Sequence, residues 1–428
     1  MFASVREKVK NNVVVRSFLK DSVTYTLLQL INKAVPFFLL PFVLHNVSKE
    51  DYGIYALFLA TELSLQPFLS LNTEGALNRH FFDKDIDYTK YFSSVLLMIL
   101  FNVVAIFFFG YIFSAGISLL TGLTAKYVIL VVLSSGMNIL ISIGLVLFRN
   151  IKKVFLYAIY LLANSVSLFG LMIVLTYYYH NDYGLILSRF IVAFIFSIAA
   201  LAIVFKLGYF RLVLQIKYWR KALAYSLPTM LHTISAFVFS ASDKFLINKY
   251  IGASEVGVYS AFLQLASVVG VLGTAFNTAW VPWLFEHLNK REAEVDRLIV
   301  KMSYLLKLAF LVVTLVAIMA LYVAVDFFFP ASYVQYKYLI VMFVLGYCFQ
   351  GWYFVVAPYI YFSEKTIFVS VISIFVAIFN LGFNLVFIPV WGIKGAAYSM
   401  CLSWLLLYVF NFLMANKVHE MPWVLNDR

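Results

Sequence analysis

Three charged side chains stand inside long apolar runs of the sequence. Lys33 and Glu62 lie near the middle of the first and second runs, and Arg189 lies about six residues into the sixth. Ionisable residues at such depth are costly in a membrane and usually face a cavity, a partner or a transport pathway. A lysine ammonium and an arginine guanidinium both suit phosphate groups, so we expect Lys33 and Arg189 to bind an anionic substrate.

Glu62 admits two interpretations. Lys33 lies fifteen residues before a turn centred on residue 48 and Glu62 lies fourteen after it, so the two match in depth and could form a purely structural ion pair. A carboxyl group at this depth is also the best candidate in the chain for coupling transport to a proton or sodium ion. For Arg189, the alternative to a cavity position is a side chain that extends to the lipid headgroups.

Uncharged polar residues inside the apolar runs form a second set of candidates. Asn380 and Asn384 share one face of a predicted helix at i, i+4, while Gln264 and Asn138 lie on two others. Hydrogen bonding between helices is the commoner role for such residues, and contact with sugar hydroxyls is the alternative. Lys307 lies near the end of its run, where we expect its side chain to snorkel to the interface.

These residues are carried by a chain whose composition is that of a polytopic membrane protein. Hydrophobic residues make up 64% of the 428 positions and charged residues 12%, against about 45–50% and about 25% in soluble domains. Hydropathy predicts about twelve transmembrane helices, because only helices satisfy the backbone of such long apolar runs in lipid. The predicted spans are 22–44, 52–71, 91–114, 127–148, 154–177, 183–205, 222–243, 256–281, 302–328, 336–358, 366–390 and 395–415.

Lysine and arginine set the predicted orientation. With both termini in the cytoplasm, 23 of the 32 basic residues fall on the inner side, six on the outer side and three inside spans. This asymmetry follows the positive-inside rule. The net charge of +12 is therefore explained by topology and does not indicate nucleic-acid binding.

An internal repeat divides the chain into two halves. The turn at 43–59 aligns with the turn at 247–263 at an offset of 204 residues. The aligned identities are Gly53 with Gly257, Tyr55 with Tyr259, Phe58 with Phe262 and Leu59 with Leu263. Six spans separate the two copies, so both halves have the same orientation, and we expect two six-helix lobes related by an axis along the membrane normal.

Several segments resemble the polysaccharide-transport branch of the MOP superfamily, the O-antigen and oligosaccharide flippases. They are SKEDYGIYAL, LNTEGALNRHFFDKD, SASDKFLINKYIGASEVGVYSAF, NTAWVPWLFEH and IPVWGIKGAAYSMCLSW, and the likeness extends over residues 17–415. The resemblance implies an all-α, MATE-like fold and a transporter of an oligosaccharide linked to undecaprenyl diphosphate. It further implies transfer from the inner to the outer leaflet of a bacterial inner membrane during lipopolysaccharide biosynthesis.

The expected organisation is a cytoplasmic tail at 1–21, an N-lobe at 22–210, a C-lobe at 211–415 and a second tail at 416–428. A lipid II flippase, a multidrug antiporter of the same superfamily and a membrane glycosyltransferase or polymerase remain as alternatives. The enzyme alternatives are disfavoured because the predicted outer loops are short. The sequence also lacks a Gly-rich phosphate loop, a nucleophile motif and a His/Cys cluster of metal-binding spacing, so we expect no catalytic centre, metal or cofactor.

Overall fold

Apolar runs of membrane-spanning length determine the architecture. The computed structural model describes residues 36–290 and 292–423, and the regular elements in these residues are helices. The helices are α1 Pro36–Asn46, α2 Lys49–Ser70, α3 Thr73–His80, α4 Tyr88–Ile112, α5 Ser114–Thr121, α6 Ala125–Asn150, α7 Val154–Tyr179, α8 Asp182–Lys206, α9 Ile216–Tyr250, α10 Ala253–Leu288, α11 Ala293–Phe328, α12 Ala331–Val334, α13 Leu339–Phe362, α14 Thr366–Trp391 and α15 Ile393–Val418.

The predicted all-α polytopic fold is confirmed. Nine helices of the described chain are long and apolar enough to cross a membrane. Counting the bent pair α2 and α3 as one span, and the bent helix α9 as another, gives eleven. These eleven correspond one to one with the predicted spans from 52–71 to 395–415. The first predicted span, 22–44, lies mainly outside the described residues, which begin with α1.

One predicted helix end is wrong. The seventh span was expected to end at residue 243, but α9 continues to Tyr250. Asp243 and Lys244 therefore lie inside the helix and not at its outer end. Hydropathy placed the boundary too early because it treats an adjacent acid and base as the start of a loop.

The helix breaks do not occur at the prolines of these spans. Pro67 lies within α2, and Pro228 lies seven residues before Ser235, where the first part of the bent helix α9 ends. The break after α2 occurs instead at Leu71 and Asn72, whose φ angles of 48° and 53° are left-handed, and the axis turns there by 48°. Asparagine tolerates this conformation comparatively well, whereas for leucine it is unusual.

The two copies of the repeat meet at the predicted outer end. A Cβ atom on Gly53 of α2 would overlap the carbonyl oxygen of Ala253 at the start of α10, and one on Gly257 of α10 would overlap the carbonyl oxygen of Lys49. The offset of 204 relates Lys49 to Ala253 as it relates Gly53 to Gly257. Such reciprocal contacts characterise a two-fold interface. They agree with the two-fold relation that the repeat predicts.

Buried apolar residues divide in the same way. One cluster, at the predicted outer end, combines helices from both halves, including α2, α6, α10 and α13. At the predicted inner end two separate clusters occur: one combines residues 69–204 with Tyr218 and Ala222 of α9, and the other is drawn from residues 280–421. Helix α9 thus joins the halves by apolar packing at this end too, while the rest of the C-terminal half has its own core there.

Polar contacts link the halves toward the predicted inner end. The Asn72 side-chain amide donates to the Thr229 hydroxyl of α9 at 2.7 Å. Asp83, in the loop after α3, accepts from Arg79 at 3.0 Å and from Lys221 of α9 at 3.4 Å. Such exposed ion pairs contribute little to stability. They add little to the apolar packing of Tyr218 and Ala222 against the N-terminal half at this end.

Candidate functional site

The carboxylate of Glu62 lies between three helices, and both of its oxygens are occupied. The Arg189 Nε of α8 donates to Glu62 Oε2 at 2.5 Å, and the Asn138 Nδ2 of α6 donates to Oε1 at 2.5 Å. The hydroxyl of Tyr55, two turns earlier on α2, also interacts with Arg189. A charge this deep is tolerated only when it is paired and hydrogen-bonded, and these contacts meet that requirement.

Arg189 faces open space. Its side chain is 27% exposed, whereas that of Glu62 is 10% exposed. It lines three adjoining cavities of about 430, 180 and 260 Å³. The first also contains Glu62, the second is completed by Gln264 from the C-terminal half, and the third is bordered by Asn138 and Asn164. The guanidinium is thus the charge that the cavities present, and the carboxylate lies behind it.

This arrangement suits a reversible anion site. Arg189 is a fixed cation with five donors in a planar fork, which matches phosphate and carboxylate oxygens. Glu62 uses the Nε and Tyr55 also interacts with the guanidinium, which leaves other N–H groups of the fork to bind an anion. Protonation of Glu62 would weaken its hold on the guanidinium and leave the cavity more positive.

The other predicted site residues are distributed differently. Lys33 lies outside the described residues, and the partner found for Glu62 is Arg189. Asn380 and Asn384 are buried between α14 and α15, where Asn380 donates to the Ser403 hydroxyl at 3.0 Å and Asn384 donates to Asn380 at 3.2 Å. Asn380 makes a helix-to-helix contact, the commoner of the two expected roles, and Asn384 supports it from within α14.

The prediction that Lys307 snorkels is wrong. Its side chain is 8% exposed, and the ammonium lies 4.7–5.3 Å from the centres of four rings. The rings belong to Tyr304, Tyr408, Phe412 and Trp423. Cation–π attraction offsets part of the cost of burying the charge.

Sequence reasoning missed Tyr55 as a site residue and did not assign Asn138 to Glu62. Tyr55 had been noted only as half of an aligned pair in the repeat. A charged group in an apolar run is visible in a sequence, but the neutral groups that solvate it are set by helix rotation and packing. The signal available was that Asn138 is itself a polar residue inside a span.

Comparison with known proteins agrees with this architecture. The polysaccharide biosynthesis protein family matches residues 18–288. Protein 1 of the Lsg locus of Haemophilus influenzae is 25% identical over 418 residues, which are 94% of this chain and 98% of that protein.

Two solved structures share the fold. The lipid II flippase MurJ in an inward closed conformation has a TM-score of 0.72 at 16% identity, covering 92% of this chain and 87% of that one. An inward-facing multidrug resistance MATE family transporter of the MOP superfamily has a TM-score of 0.63 at 14% identity, covering 92% and 96%. The chain therefore belongs to the polysaccharide biosynthesis protein family, and it shares its fold with these two membrane proteins.

Proposed function

We propose that the protein moves an oligosaccharide linked to undecaprenyl diphosphate, an O-antigen-type repeat unit, from the inner to the outer leaflet. The observation that carries the proposal is the position of Arg189. Its guanidinium faces cavities between the helices of a chain that belongs to a polysaccharide biosynthesis family. A diphosphate is the anionic part of such a substrate, and a planar guanidinium binds phosphate oxygens in a defined geometry.

The helix contacts favour alternating access with the predicted outer end closed. At that end α2 and α10 meet backbone to backbone at Gly53 and Gly257. At the opposite end α9 packs on the N-terminal half through Tyr218 and Ala222 and through the hydrogen bond from Asn72 to Thr229, while the rest of the C-terminal half has its own apolar core. In this proposal the substrate enters from the inner side, and the glycine contact separates when it leaves. The halves that move are the lobes 22–210 and 211–415.

Glu62 is the proposed coupling residue. When it is ionised it holds Arg189, and when a proton or a sodium ion neutralises it the guanidinium becomes available to the diphosphate. Binding of the ion and of the substrate would then favour each other through one shared side chain. Lys33 is proposed as a further phosphate contact because a lysine ammonium suits phosphate and because the residue lies near the middle of the first predicted span.

Of two other transport functions, one would require a different site and the other would not. A multidrug antiporter for cations needs acidic groups facing the cavity, whereas here the carboxylate of Glu62 lies behind the Arg189 guanidinium. Lipid II carries the same diphosphate, so Arg189 would suit it equally well. The two lipid-linked substrates are distinguished by which one accumulates when the protein is absent.

The test is a deletion strain complemented with site variants. Loss of the protein should leave lipid-linked repeat units on the inner leaflet, and wild type should clear them. Arg189→Gln should fail to restore transfer at normal protein abundance, Arg189→Lys should restore it in part, and exposed Arg297→Gln should match wild type. Normal transfer in the deletion strain, or accumulation of lipid II in its place, would contradict the proposal.

We further propose that the protein resides in the bacterial inner membrane with both termini in the cytoplasm. Single cysteines introduced at 178–182 should react with an impermeant thiol reagent added to intact cells. A cysteine at residue 217 should react only after the membrane is opened. Labelling of residue 217 in sealed cells would reverse the orientation.

A further inference from the structure

The three cavities that Arg189 lines differ in their chemistry. The first and third contain polar side chains, among them Glu62, Gln66, Ser135, Asn138 and Asn164. The second is lined mainly by apolar side chains, which include Leu39, Leu40, Val43, Leu168, Phe169 and Met172. Among the described residues, the polar side chains that join the guanidinium there are Tyr52, Tyr55 and Gln264. The guanidinium therefore stands where polar and apolar space meet.

These cavities follow one another in a fixed order along the membrane normal. Helix α2, which runs from the predicted outer end inward, lines the second cavity from Tyr52 to Leu59 and the first from Leu59 to Gln66. Helix α7, which runs the opposite way, lines the third cavity at Asn164 and the second as far as Met172. The apolar cavity thus lies on the outer side of the polar ones, and the guanidinium, which lines all three, lies between them.

The second cavity has the size of a small hydrocarbon group. Its volume is about 180 Å³, and an apolar cavity of about 150 Å³ in another protein holds a benzene molecule. A five-carbon isoprene unit is of similar size. Leu40 and Met172 in the lining are 3% and 4% exposed. Burying a hydrocarbon group among such side chains is favourable, because it removes apolar surface from water.

We propose that the second cavity binds the isoprene unit next to the diphosphate of the lipid-linked substrate. The inference rests on the proposed function and specifies which part of the substrate each cavity takes. The Arg189 guanidinium binds the diphosphate, the second cavity takes the adjacent end of the carrier chain, and the first sugar lies in the polar cavities. Gln66 and Asn164 offer amide groups to its hydroxyls there.

The order of the cavities matches the orientation of a substrate in the inner leaflet. Such a lipid has its sugars toward the cytoplasm and its carrier chain toward the middle of the bilayer. From the predicted inner end outward, the cavities present polar groups, then the Arg189 guanidinium, then apolar groups. A sugar diphosphate joined to a nucleoside would offer the same anion to Arg189 and no hydrocarbon to the second cavity. The apolar cavity therefore selects the lipid-linked sugar.

The experiment measures the binding of two soluble diphosphates to the full-length protein in nanodiscs. Methyl diphosphate and dimethylallyl diphosphate carry the same charge, and the second has four more carbon atoms, which complete one isoprene unit. Each buried methylene improves affinity by up to about fourfold. Wild type should therefore bind dimethylallyl diphosphate at least about tenfold more tightly than methyl diphosphate.

Two variants change the apolar cavity in different ways. Leu40→Phe fills part of it and Met172→Gln makes it more polar at similar side-chain volume, so each should reduce the preference to about threefold or less. Both should bind methyl diphosphate as wild type does, which shows that the fold and the guanidinium are intact. Leu63→Phe is the matched control, because Leu63 lines the first cavity and not the second, and it should keep the wild-type preference.

The outcomes distinguish this inference from the function on which it rests. If wild type binds undecaprenyl diphosphate but binds the two short diphosphates equally, the inference fails alone. It also fails if both cavity variants keep the wild-type preference, or if they weaken both ligands by the same factor. Displacement of dimethylallyl diphosphate by a short-chain phospholipid more readily than by geranyl diphosphate would identify a phospholipid chain as the occupant and overturn it. If wild type does not bind undecaprenyl diphosphate, the proposed function itself fails.

Discussion

Removing the guanidinium of Arg189 while Glu62 stays in place should destabilise the protein more than removing both charges. Glu62 is 10% exposed and would lose its 2.5 Å contact with Arg189, keeping only the amide of Asn138. Breaking a buried ion pair by removing one partner costs about 3–5 kcal/mol. Arg189 is 27% exposed, and water in the cavity screens the pair, so we expect about 2–4 kcal/mol for Arg189→Gln.

The double variant Glu62→Gln/Arg189→Gln should recover most of that loss. Without charges there is no desolvated carboxylate to compensate, and the oxygen of a glutamine at position 62 can still accept from Asn138. Replacing a buried pair by neutral residues of similar volume is often close to neutral. We therefore expect a net loss below about 1.5 kcal/mol and a coupling energy of about 2 kcal/mol between the two positions.

The measurement is a double-mutant cycle on the purified protein, with unfolding followed in mixed micelles under conditions where it is reversible. Arg297→Gln, at an exposed position, controls for the loss of an arginine as such. If the two single losses add to within about 0.5 kcal/mol, the positions are not coupled and the pair does not form in the membrane. Transport by the double variant is a separate measurement. Normal transport would show that Arg189 is not needed to bind the substrate.

Two further predictions concern packing away from this pair. Gly53→Val should open the predicted outer end, because the new side chain has no space beside α10. The opening should be detected as faster labelling of a cysteine introduced at the buried position Val256. Gly116→Val should not change this labelling, since a Cβ there meets no atom within 4 Å. Lys307→Met should cost little stability, because the ammonium lies among rings and has no ion pair in the described chain. Trp423→Ala should cost about 1–3 kcal/mol, because it removes a half-buried ring that packs against Phe412. Equal losses for the two variants would contradict this.

The spans were predictable because every backbone amide in lipid has to be satisfied within its own helix, so hydropathy alone locates them. The positions of Glu62 and Arg189 were visible for the related reason that a charge stands out in apolar sequence. That these two residues pair was not visible, because 127 positions separate them along the chain. The pairing depends on the rotation of α2 against α8, about which hydropathy carries no information.

Two errors in the predictions also arise because the sequence does not show which side chains of distant segments meet. Lys307 has the sequence context of a snorkelling lysine, but Trp423 follows the last span and folds back over it, with its carbonyl accepting from Tyr304 at 2.8 Å. The pair Asp243–Lys244 looked like a helix end because its compensation by Tyr259 comes from a neighbouring helix. In each case a tertiary contact stabilises a buried charge, and the local sequence does not show that contact.

The two ends of the molecule differ in the contacts that close them. At the predicted outer end, the reciprocal contact of Gly53 and Gly257 is backbone packing, and Glu255 beside it accepts from the Tyr336 hydroxyl at 3.0 Å. At the other end, the hydrogen bond from His80, with Arg79 and Lys221, lowers the pKa of the Asp83 carboxyl below its usual value. A lowered pKa means that the charged contact is complete above the ordinary pKa of an aspartate and is lost as the pH falls through the lowered value. Near neutral pH the ion pair with Lys221 therefore persists, and the halves cannot separate at this end without breaking it. Exposed ion pairs are weak and screened by salt, so the apolar packing of Tyr218 and Ala222 against the N-terminal half contributes more at this end than the pair does. Opening either end exposes apolar surface, and bound substrate offsets that cost only if it binds the open form more tightly.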